Sequence, residues 1–235
     1  AFHHRFSLLF AATLIPGLIA VGLIAFLVKE KKRKPVPHIS FGEQLRRLPV
    51  SYRKFLVAVG LFGAGDFAHT LLILLAAQKL TPALGAAQAA SVAVALYILH
   101  NIFYATFALI AGWLADRFKK NYVLAAGYFL AALMAVAIMV LPFTPGSLAL
   151  IFISGGIYVA IEETLEDSFC AELVDESQHG MAFGVLATVN GVGDFLSSIV
   201  VGALWTAFGT TAAFGYSAAL FIAGALLVFR LRPVK

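Results

Sequence analysis

Apolar residues run through this sequence in long tracts, and polar residues gather at the ends of those tracts. Seven tracts are candidates for helices that cross a bilayer: about 7–28, 55–79, 86–111, 122–141, 147–174, 181–207 and 211–229. A membrane helix needs roughly 20 mostly apolar residues. Turn signals separate tracts at Thr81-Pro82, from Pro142 to Pro145-Gly146, and at Phe208-Gly209-Thr210. The pattern predicts an all-α integral membrane protein with seven transmembrane helices. Composition agrees: 61% of the 235 residues are hydrophobic and 12% are charged, against roughly 25% charged in a soluble domain. The first tract is too long for a signal-peptide core and no cleavage site follows it. The chain opens on Ala1, which suggests the later part of something longer, and its one cysteine, Cys170, does not reveal a redox compartment.

Positive charge orders these tracts. Nine Lys and Arg residues lie between residues 29 and 54, three follow at Arg117, Lys119 and Lys120, and three close the chain at Arg230, Arg232 and Lys235. Only Arg5 and Lys79 lie on the opposite side of the alternation. Cytoplasmic loops keep Lys and Arg, so the reading puts the N-terminus outside and the C-terminus in the cytoplasm. The net charge of +5 is then a topology signal rather than a sign of nucleic-acid binding. The segment 29–54 is a basic linker broken by Pro35 and Pro37, with Gln44 to Arg47 able to form a short surface helix.

Polar residues inside the tracts are unevenly distributed. Tracts 7–28, 122–141 and 211–229 contain no Asp, Glu, Lys, Arg or His. Tract 55–79 carries Asp66 and His69, and 86–111 carries His100 and Asn101. Tract 147–174 carries Glu162, Glu163, Glu166, Asp167 and Glu172, and 181–207 carries Asn190 and Asp194. After the first tract, the order polar, polar, apolar occurs twice. Successive triplets of helices have opposite orientation, which is the form of two inverted three-helix repeats in a transporter. Counted from their cytoplasmic helix ends at ~1.5 Å per residue, Asp66 and Glu162 both lie roughly 17–18 Å deep, near the middle of a ~30 Å core.

The segment Gly112-Trp113-Leu114-Ala115-Asp116-Arg117-Phe118-Lys119-Lys120 joins the second and third helices of the first triplet. It resembles the cytoplasmic signature of the major facilitator superfamily: a glycine, then L-A-D-R, then a basic pair. Lys119 stands where that pattern usually has a second glycine. The later stretch AFGVLATVNGVGDFLSSIVVGALW also looks like helix 11 of bacterial members. The resemblance covers the whole chain. It implies that 1–28 is helix 6, 29–54 the central cytoplasmic linker, and 55–235 the C-terminal six-helix bundle, with a first half missing. It further implies a gating motif at Gly112, Asp116, Arg117 and Lys120, and a bacterial inner (plasma) membrane location. A seven-helix receptor is the alternative class, because Asp116-Arg117-Phe118 ends the third helix. Against it, the last helix has no N-P-x-x-Y and no lysine for retinal.

The acids carry the candidate chemistry. An ionised side chain at mid-bilayer costs at least ~2.5–3.5 kcal/mol, so each such acid needs a partner, water or a proton. Glu162, Glu163, Glu166 and Asp167 fall at helical angles of about 0°, 100°, 40° and 140°, one stripe facing a cavity or another helix. Glu162–Glu166 and Glu163–Asp167 are like-charge pairs at i,i+4. Asp66 and His69, at i,i+3, form a candidate proton relay. His100, Asn101 and Asp194 complete the candidate substrate- and proton-binding set. Glu172, Asp175 and Glu176 read as an acidic loop face. No trusted metal spacing, cofactor motif or catalytic signature is present. The expected function is proton-coupled efflux of a small organic compound, with proton-coupled uptake as the alternative mode. The expected partners are that compound, protons, the lipid bilayer and the missing half.

Overall fold

The computed structural model describes residues 6–27, 43 and 46–231, with side chains from residue 11 onward. Every regular element among them is helical. The chain divides into two units, Ala1–Ser40 and Phe41–Lys235. The first unit contains α1 (Phe6–Leu27), a 22-residue apolar helix with Pro16 inside it. Most of the linker expected over 29–54 lies outside the described residues, as do Arg5, Arg232 and Lys235. Of the short helix expected there, Arg47 pairs with Glu43 across one turn at 2.8 Å.

The second unit contains α2 (Val50–Gly63), α3 (Thr70–Leu84), α4 (Ala86–Arg117), α5 (Lys120–Val140), α6 (Pro145–Leu173), α7 (His179–Phe208) and α8 (Thr210–Arg230). A 3-10 turn at Glu176–Gln178 leads into α7. Among the described residues, five helices are suited by length and composition to cross a membrane, α4 to α8. This is an all-α membrane protein.

Three expectations are corrected. Tract 55–79 is not one helix: it breaks between Gly63 and Thr70, leaving Asp66 in the gap. Gly60, Gly63 and Gly65 crowd this stretch, and each glycine costs a helix about 1 kcal/mol relative to Ala. The turn expected at Thr81-Pro82 falls instead at Gly85, whose φ of 78° suits glycine. The helix expected over 86–111 continues to Arg117, so most of the motif read as a loop is the last turns of α4. Only Phe118 and Lys119 separate α4 from α5.

Packing brings α4 against α3 and α6, α5 against α6 and α8, and α2 against α7 and α8. Two close crossings matter for the site. Gly156 of α6 lies on the His100 carbonyl of α4, where a Cβ has no room. Gly193 of α7 lies on Gly63 of α2, with a Cβ position 3.1 Å from the Gly63 Cα. Small residues let membrane helices approach in this way. At the centre, the Phe62 ring stacks on Tyr128 at 3.7 Å and meets Tyr158 edge-on at 6.2 Å. Phe62 therefore fixes two tyrosines that hold acids.

Candidate functional site

The gap between α2 and α3 is held from α7. Ser197 Oγ donates to the Asp66 carbonyl, and the Ala68 N–H donates to Ser198 Oγ at 3.2 Å. Backbone that leaves a helix inside a membrane needs such substitutes for its lost hydrogen bonds. Gly65 lies close to α8, its Cβ position 3.1 Å from the Ser217 carbonyl oxygen. The break therefore has a defined place, and it turns Asp66 and His69 toward a cavity of about 520 Å³. Glu162, Glu163, Asn190 and Asp194 line that cavity and also a second one of about 510 Å³, which adds Glu166 and Asp167. No described Lys or Arg lines either cavity.

Tyrosine hydroxyls take the place of cations. The Tyr158 hydroxyl donates to Asp66 Oδ1 at 2.9 Å and lies 3.3 Å from His69 Nε2. Asp66 and His69 thus meet through Tyr158 and not on one helical face, because the backbone between them is not helical. Tyr104 donates to Glu163, and Tyr128 donates to Glu166. Glu166 is 3% exposed and also accepts from Asn190 Nδ2 at 2.7 Å. Glu162 has no hydrogen-bond donor or ion pair among the described residues, although it lines both cavities.

The remaining expected residues fall elsewhere. His100 is 4% exposed, with Nδ1 3.2 Å from the Phe152 carbonyl and its ring 4.8 Å from that of His69. It supports the site from behind. Asn101 donates to Tyr97 of its own helix at 2.7 Å and lines neither cavity. In the motif, Gly112 faces Thr164 of α6, Arg117 lies over the Trp113 ring at 4.0 Å, and Asp116 is exposed with no described partner. Lys120 pairs with Glu172 at 2.8 Å and donates to the Ser168 carbonyl at 3.3 Å. Glu172 is therefore not part of a loop face: it sits in the last turn of α6 and ties it to α5. Among the described residues, no group of three or more His, Cys, Asp or Glu could hold a metal ion.

Sequence reasoning missed Tyr104, Tyr128, Tyr158 and Ser197. One signal was available: Tyr158 precedes Glu162 by one helical turn and Ser197 follows Asp194 by three residues, so both lie on faces already marked by acids. Tyr104 and Tyr128 reach their acids across helix interfaces and left no local trace.

Broken and continuous helices around an acid-lined cavity, with the L-A-D-R segment at one end, define a membrane transport bundle. Residues 55–235 match the family described as the Major Facilitator Superfamily. The chain is also 30% identical, over 87% of its length, to an uncharacterized MFS-type transporter, MJ1317, of Methanocaldococcus jannaschii. It spans 51% of that relative's length. The chain belongs to the major facilitator superfamily, which makes it an integral membrane protein of a transporter class, not an enzyme. The receptor alternative falls with that assignment.

Proposed function

We propose that this bundle works in a proton-coupled secondary transporter that expels a small organic compound by alternating access. In this reading it rocks against a second bundle, and Glu162 exchanges a proton for the compound. The observation that supports the reading most is the contrast within the acid cluster. Asp66, Glu163 and Glu166 each have a tyrosine donor, whereas Glu162 and Asp194 face both cavities with no side-chain donor, and of these two Glu162 is half-buried while Asp194 is exposed. A tyrosine hydroxyl donates to a carboxylate and accepts from a carboxylic acid, so the three paired acids keep a partner in either protonation state. Glu162 must find its partner in water, a proton or a ligand. No described Lys or Arg stands in either lining, and the acids there favour a cation or a neutral compound.

The test uses the full-length protein in proteoliposomes under an imposed pH gradient, with ethidium as the cationic probe. The reading expects ethidium movement against the proton flow, and its loss in Glu162→Gln. Movement with the proton flow would instead favour uptake by symport. Gradient-driven flux that Glu162→Gln leaves unchanged would overturn the assignment of Glu162.

A further inference from the structure

A third concavity lies between α5 and α8, on residues that share nothing with the two acid-lined cavities. It has a volume of about 290 Å³. Ala125 and Ala225 form a buried floor, and exposed Tyr122, Phe129, Leu226 and Phe229 form the walls. The groove is apolar along its length and basic at one end. There the Lys119 ammonium lies 5.6 Å over the Tyr122 ring, and Tyr122 stacks on Phe229 at 5.0 Å. Arg230 follows at the end of α8. Asn121 fastens the two helix ends together, its Nδ2 donating to the carbonyls of Phe229 and Leu231 at 3.1 and 2.9 Å.

The electrostatics at this end are out of balance. A helix N-terminus carries partial positive charge and ordinarily takes acids or a Ser, Thr, Asp or Asn cap. Lys119 is the N-cap of α5, no side chain caps the helix, and the first turn has no acid. Lys120 is compensated by Glu172 at 2.8 Å. Lys119 has no acidic partner among the described residues; Arg230 is matched to the negative C-terminal end of α8 but also has no acidic partner among them, and it follows Phe229 at the mouth of the groove. An anion at Lys119 and Arg230 corrects this, and an apolar chain attached to that anion fills the groove.

We propose that the α5–α8 groove binds an anionic phospholipid, with its phosphate between Lys119 and Arg230 and one acyl chain along Ala125, Phe129 and Leu226. Basic residues at the membrane surface recognise anionic head groups, and the aromatic pair at the mouth suits the interfacial layer. The occupant follows from the pairing of charge with an apolar slot.

The test places a tryptophan in the groove of the full-length protein with Ala126→Trp and reconstitutes it in phosphatidylcholine bilayers. Brominated phosphatidylglycerol and brominated phosphatidylcholine are compared at equal mole fraction, and the signal of the wild-type protein's own tryptophans is subtracted. The expected result is at least about twofold stronger quenching by the anionic lipid, falling to parity in Lys119→Gln/Arg230→Gln and at high salt. If Ala126→Trp does not fold, Leu226→Trp on the facing wall gives the same readout. Equal quenching by the two lipids would mean ordinary annular contact and would overturn the proposal. Quenching by neither, with cross-linking of two copies through this face, would overturn it in favour of a self-association surface.

Discussion

Asp66 and the acids of α6 reach the same cavity by different means. Asp66 is delivered by the backbone: the helix stops at Gly63, resumes at Thr70, and serines of α7 satisfy main-chain groups in the gap. Glu162, Glu163 and Glu166 are carried on an unbroken helix, where tyrosines of α4 and α5 donate to Glu163 and Glu166 but not to Glu162. A membrane core accepts a polar residue when both its backbone and its side-chain groups are satisfied, by its own helix, a neighbouring helix or a water-filled cavity. The first means fixes where the acid is. The second leaves the acid's proton free to change while its neighbour stays bonded.

The largest expected effect comes from breaking the continuous side. Gly156→Val sets a branched side chain against the His100 carbonyl of α4. The obstacle is backbone, which cannot rotate away, so the cost should exceed the ~1–3 kcal/mol typical of overpacking and lower the thermal midpoint in detergent further than the variants below. Gly191→Ala, with nothing within 4 Å of its Cβ position, is the control that should not lower the midpoint, since alanine favours the helix over glycine. An equal midpoint for the two variants would show that the α4–α6 crossing is looser than described.

Next is the pairing itself. Glu166→Leu leaves the Tyr128 hydroxyl and the Asn190 amide without their acceptor. Each buried donor left unpaired costs about 1–3 kcal/mol, so the variant should be clearly destabilised and Glu166→Gln much less. Adding Tyr128→Phe to Glu166→Leu should restore part of the loss. A double-mutant cycle with no coupling would refute the pairing. The smallest effect belongs to the broken side. Ser197→Ala removes one donor to the Asp66 carbonyl and should cost only ~0.5–1.5 kcal/mol. Faster hydrogen exchange at residues 64–70 should accompany it, with none added in α6.

The acidic stripe of α6 was legible because it needs only the helical repeat: Glu162, Glu163, Glu166 and Asp167 all line the second cavity. The family was legible from Gly112 to Lys120. The break at Asp66 was not, although three glycines within Gly60–Gly65 signalled it, because a hydropathy window averages over them. The end of α4 was misplaced for the opposite reason: Asp116 and Arg117 looked like loop residues by charge, yet the helix continues through them. The tyrosine–acid pairs join residues 38 to 92 positions apart, and only tertiary structure brings them together. Lys120–Glu172 was missed in the same way.

The central claim is that Glu162, half-buried and facing both cavities without the tyrosine donor that Glu163 and Glu166 have, is the group that exchanges a proton for the compound. The direct measurement is proton release into weakly buffered solution when ethidium is added to the purified full-length protein. The account predicts release from the wild type and from Glu166→Gln, and none from Glu162→Gln. Undiminished release from Glu162→Gln would contradict it.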